Sequence, residues 1–284
     1  MTTAGAVITM ISLLSGMAIG TVGVDPLYGQ ARFSFGIPEV ESGIRFVVVM
    51  IGLFAIGEVV DLVATDRDTG SLLLAFARAG VFRLGGTLVG TAAYALYQGE
   101  LGVRFGSDEL AQTGDIDFAS FERLSVALGD RVEENPGDIL QALRFDPVPG
   151  VQDRQIWKWR QSHGTAMVEF LTPAFGDERV KPLPALGVSA QALNYLNYLI
   201  AEPIPAVALY RSGILVQIPR PERFAIHKLI VADRRHGGPD QAKSRKDRAQ
   251  AAFLIAVLAE DRPDDLADAV EEARSRGPRW QQRL

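Results

Sequence analysis

Between Met1 and Val24 there is no charged residue, whereas charged residues run through the whole chain beyond Thr65. That contrast argues against one uniform fold, because the apolar front and the charged remainder ask for different surroundings. The change falls at the polar run Thr65, Asp66, Arg67, Asp68, Thr69, Gly70. Met1–Val24 is long enough to span a bilayer, although four glycines and several Thr and Ser dilute it. It lacks the basic start of a signal peptide. A second apolar run, Phe46 to Gly57, is bounded by Arg45 and Glu58 and is short enough to be a buried helix. The expected organisation is a hydrophobic segment over 1–68, an α/β domain over 69–185 and a mostly helical region over 186–284.

A length of 284 residues can hold one large domain or two smaller ones, each with a real core. The formal net charge of -5 excludes a surface that is basic throughout, as nonspecific nucleic-acid binding would require, but allows a local basic patch. With no cysteine, disulfides, thiolate nucleophiles and cysteine-ligated zinc are excluded. This fits a reducing, cytoplasmic location, at a membrane if the front segment inserts. The histidines His163, His227 and His236 are scattered. Hydrophobic patterning predicts helices over Ser71–Gly80, Ala92–Tyr97, Ser189–Ala201, Glu222–Arg235, Lys246–Glu260 and Asp264–Arg276. Strands are expected over Phe82–Thr91, around Asp115 and Asp117, and over Ala166–Leu171, Ala206–Tyr210 and Ile214–Ile218. The stretch holding Pro136, Pro147 and Pro149 reads as irregular.

Three acids carry the chemistry. Asp115 and Asp117 stand at i and i+2 in an apolar run, so on a strand both carboxylates leave one face, a geometry suited to a divalent cation. Glu169 is enclosed by Val168, Phe170 and Leu171 and needs a partner to offset its burial, which a metal would supply. An isolated Asp-x-Asp is common in turns and on solvated strand edges. Its reading as a site therefore rests on the later acid and on Gly90 and Thr91, where a glycine-broken strand meets a helix and backbone amides can approach a phosphate.

Four segments, Phe82–Thr91, Thr113–Ala119, Val168–Pro173 and Arg223–Leu229, resemble the nucleotidyltransferase superfamily and its small bacterial nucleotidyltransferase-fold group, a likeness spanning about 71–276. The resemblance implies a mixed sheet with a helical companion, an NTP donor and two Mg²⁺ ions held by Asp115, Asp117 and Glu169. It also implies phosphate contacts from Gly90, Thr91 and Lys228, and transfer of a nucleoside monophosphate to a hydroxyl on RNA, a protein or a small molecule. The third acid of that group is usually aspartate, and here it is the longer Glu169. The front, through Gly20–Pro26, Ala31–Gly36 and Ile51–Glu58, resembles part of the large membrane subunit of tripartite tricarboxylate transporters over about residues 8–64. Those subunits have many more membrane helices than this stretch can supply, so transport does not carry over. A silent partner-binding protein of the same fold is the alternative, as is a membrane-anchored fusion derived from the transporter.

Lys228, Arg234, Arg235, Lys243, Arg245, Lys246 and Arg248 cluster late in the chain. Lys228, on a helix, is expected to meet NTP phosphates, while Arg245 and its neighbours, in a loop, face an acidic acceptor such as RNA. A solvated helix face accounts for the same charges. His227 is expected to pack rather than act as a base, and Trp157, Trp159 and Trp280 to pack rather than stack on nucleotide bases.

Overall fold

The computed structural model describes residues 22–24, 30–33, 67–105, 115–121, 130–150, 155–235 and 240–284. The chain divides into two compact units, Met1–Leu62 and Val63–Leu284. In the first, β1 (Gly23–Val24) pairs antiparallel with β2 (Ala31–Arg32). Phe46–Gly57, and Met1–Val24 apart from its last three residues, lie outside the described residues. Among the described residues no helix is long and apolar enough to cross a membrane.

The second unit begins with α1 (Arg67–Arg78), β3 (Thr87–Val89), α2 (Gly90–Leu101), β4 (Asp115–Ala119), α3 (Pro136–Ala142), β5 (Phe145–Val148), β6 (Lys158–Gln161) and β7 (Met167–Pro173). It continues through β8 (Val180–Leu183), β9 (Val188–Leu193), α4 (Leu196–Leu199), β10 (Ile204–Ala208) and β11 (Ile214–Ile218). The last elements are α5 (Pro221–Arg235), α6 (Gln241–Asp261), α7 (Pro263–Ser275) and α8 (Pro278–Gln281). The result is the mixed α/β architecture expected.

Seven strands form one mixed sheet in the order β3-β4-β7-β6-β5, with β9 also on β7 and β8 on β9. β4 and β7 run parallel, with Asp117 beside Glu169 and Phe118 beside Phe170. The period-2 alternation of strands then separates two faces. On one, Ile116, Phe118, Val168 and Phe170 are buried. There Phe76 of α1 meets Phe118 at 4.8 Å and Phe170 at 6.0 Å between ring centroids. On the other lie Asp115, Asp117 and Glu169. A one-residue slip of either strand would put the acids into this aromatic core, so burial fixes the register.

Three expectations need correction. Ser189–Ala201 is not a helix: Val188–Leu193 is β9, followed by the short α4. Ala190 and Ala192 are fully buried while Ser189 and Gln191 are not, a strand's alternation that helix-compatible alanines conceal. β8 and β9, on either side of 185/186, pair with each other in the sheet. The strand expected over Phe82–Thr91 shrinks to Thr87–Val89, because Val81–Gly85 forms turns and the helix starts at Gly90. The proline-rich stretch contains α3, with Pro136 in its first turn and Asn135 accepting from the Gly137 amide, and β5, paired on β6.

Candidate active site

The acidic face of the sheet opens into a cavity of about 460 Å³. Asp115, Asp117 and Glu169 line one wall, Gly90 and Thr91 sit at its edge, and α5 and α6 close it with Lys228, Arg235 and Lys246. The structure thus brings the acids, the helix entry and the basic helices to one place.

Gly90 is fixed by two constraints. Its φ of 67° lies in the left-handed region, and a Cβ there would stand 2.3 Å from Asp117 Oδ2. Val89 pairs with Asp117 across β3 and β4, which holds the start of α2 against that carboxylate. α2 has no acidic residue in its first turn and no side-chain cap at its N-terminus, so its dipole favours negative charge there. Thr91 Oγ1 accepts a hydrogen bond from Lys246 Nζ at 3.2 Å.

Asp117 lines the cavity, yet its carboxyl is desolvated. Burial first, then the charges of Glu169 and Asp115, push its pKa up to about 7, partly opposed by Lys228 and Lys158. Crowded carboxylates of this kind hold energy that a cation would release. Glu169 already has one: Lys158, its register partner on β6, places Nζ 2.6 Å from Glu169 Oε1. Among the described residues no three His, Asp or Glu side chains stand together as a ready metal shell. The donors nonetheless suit a hard divalent ion, with Asp115 and Asp117 on alternate positions of β4 and Glu169 on the adjoining strand.

The opposite wall is set by packing. Tyr97 meets Phe224 of α5 edge-on at 5.2 Å and donates its hydroxyl to the Pro219 carbonyl at 2.8 Å, tying α2 to the start of α5. Phe224, His227, Lys228, Val231, Arg234 and Arg235 then fall on one helical face toward the cavity. Lys228 is held by a counter-charge that the sequence reading did not name. Its Nζ lies 2.6 Å from Asp247 Oδ1, while Arg235 holds Asp247 Oδ2 at 2.6 Å. Asp247 is only 4% exposed, so α6 supplies the counter-charge that orients both cations. Arg245, expected in a loop, sits instead exposed on α6, and of its neighbours Lys243 and Lys246 line the cavity. His227, expected to pack, lines the cavity and is part-buried, and burial and Lys228 push its pKa down to about 3, which leaves it neutral. Trp159 is buried in the core and Trp280 packs on Tyr195 at 4.7 Å. His163 is exposed on a turn, and His236 lies outside the described residues.

Sequence reasoning missed Lys158 and Asp247. Lys158 stands between two tryptophans on an edge-like polar run, and only its pairing with β7 gives it meaning. Asp247 lies within the basic cluster, where a lone acid between Lys246 and Arg248 was the available signal.

Residues 1–96 match the model of the tripartite tricarboxylate transporter TctA family. An uncharacterized 52.8 kDa protein of Agrobacterium vitis is 36% identical over 69 residues, which are 23% of this chain and 14% of that protein. The chain therefore spans only a small part of that relative's length. The crystal structure of an antigenic nucleotidyltransferase-like protein from Paracoccidioides brasiliensis aligns over 72% of this chain and 93% of its own, at 16% identity and a TM-score of 0.34. A nucleotidyltransferase family model matches residues 67–275, most of the chain and all of the cavity described above, and the chain belongs to that family.

Proposed function

We propose that the protein transfers a nucleoside monophosphate from an NTP to a hydroxyl acceptor, which is an RNA, a protein or a small molecule. The observation that carries this reading is the rung Asp117–Glu169, with Asp115 on the same face, set across one cavity from Lys228, Arg235 and Lys246. Acids on one wall and cations on the other match what phosphoryl chemistry demands: a metal-loaded face and a face that neutralises phosphate oxygens. Asp115, Asp117 and Glu169 would hold Mg²⁺. The bound ion would supply charge neutralisation at the α-phosphate and alignment of the triphosphate.

The chain's own residues do the rest. Gly90 and Thr91 present backbone amides and a hydroxyl to the triphosphate at the start of α2. Lys228, oriented by Asp247, faces the same oxygens. The acceptor oxygen bonds to the α-phosphorus as the α–β bridging bond breaks and pyrophosphate leaves. The hydroxyl proton passes to the Glu169 carboxylate. The test is incubation of the full chain with α-³²P NTPs and cell extract. A labelled product with wild type and none with Asp117→Asn is expected. Equal labelling by the variant would remove the acids from the mechanism.

A further inference from the structure

We propose that Lys158 is a resident cation standing where a second divalent ion would sit, so that the site loads one metal ion on Asp115 and Asp117. This rests on the function proposed above but departs from it in assigning Glu169 to Lys158 rather than to the metal, and so departs also from the two ions that the family resemblance implies. Lys158 and Glu169 are register partners across the antiparallel pair β6–β7, so their meeting is built into the sheet. Nζ lies 2.6 Å from Oε1, and the two side chains are 24% and 21% exposed. Both line the cavity that holds Asp115 and Asp117.

A second ion at Glu169 would have to displace the ammonium or stand beside it in a partly desolvated pocket, where like charges repel most strongly. Lys158 is thus a positioning residue that holds Glu169 in place and sets the metal count.

The test is a titration of the full chain with Mn²⁺ in nucleotide-free buffer, since a triphosphate would itself take up an ion, with free Mn²⁺ read by electron paramagnetic resonance. Wild type should take up one ion per chain. Lys158→Met, which keeps length and removes charge, should take up two, and Lys158→Arg should return to one. Two ions on wild type would overturn the proposal and leave the nucleotidyltransfer reading intact. One ion on both wild type and Lys158→Met would also overturn it, since something other than the ammonium would then set the count. No ion on wild type would overturn both this proposal and the metal-dependent reading it rests on. Because the wild-type count alone can refute the proposal, it stays open to refutation even if Lys158→Met fails to fold.

Discussion

Asp117 concentrates the electrostatic cost of the site in one carboxyl. Its pKa, near 7 in the fold against an ordinary value of 3.8, means that the native state binds a proton more tightly than the unfolded chain does between these values. Stability therefore falls as pH rises from about 4 to about 7, and is level above that. Asp117→Asn removes the titrating group and should remove this slope. In metal-free buffer the variant should melt higher than wild type at pH 8, with the gap closing toward pH 4, as thermal denaturation across that range would register. A constant gap would mean that Asp117 is not the group carrying the cost. Asp115, Asp117, Glu169, Gly90 and Thr91 were legible in the sequence because strand alternation and a glycine at a strand-to-helix junction are local signals. Lys158 was not, because its role is set by a partner reached only when β6 turns back onto β7.

At the scale of elements, the basic wall depends on how α5 and α6 lock together. Asp247 of α6 is nearly inaccessible and takes Lys228 on one oxygen and Arg235 on the other, both at 2.6 Å. Ser244, one turn earlier, donates its hydroxyl to the Ala232 carbonyl at 2.6 Å, pinning the same crossing. Removing one partner of a buried charge pair typically costs about 3 to 5 kcal/mol where the charge left behind stays desolvated, which holds for Lys228 at 12% exposed but less for Arg235 at 39%, so the lower end applies. Asp247→Ala should therefore lower the urea midpoint by an amount in that range once scaled by the denaturant slope, and a loss under about 1 kcal/mol, the ordinary value of a surface pair, would show that solvent screens the network. β4, β7, β11, α5 and α7 were legible because each carries its own hydrophobic period, whereas α6 was read only over Lys246–Glu260, because its charged first turns show no apolar face. β6 and β8 were not: Lys158–Gln161 and Val180–Leu183 each bury a single side chain, so the sheet rather than the segment makes them strands.

For the whole molecule, the two family matches overlap over 67–96, so α1 and most of α2 fall in both. Packing assigns them. Leu72, Leu73 and Phe76 of α1 are buried, with Phe76 against the aromatic pair behind Asp117 and Glu169. Tyr94 and Tyr97 of α2 are fully buried, the latter against Phe224. Burial of several large side chains contributes roughly 1.5 to 3 kcal/mol each, so neither helix can be spared. The compact unit opens at Val63, and the nucleotidyltransferase match at residue 67. A chain cut to 67–284 should consequently keep its cooperative melt and its affinity for an NTP analogue, since every residue of the acidic and basic walls lies within it. Circular dichroism and calorimetry on the shortened chain make the comparison. Loss of the cooperative melt would show that residues 1–66 belong to the folding unit, and an intact melt with lost nucleotide affinity would show that they complete the site.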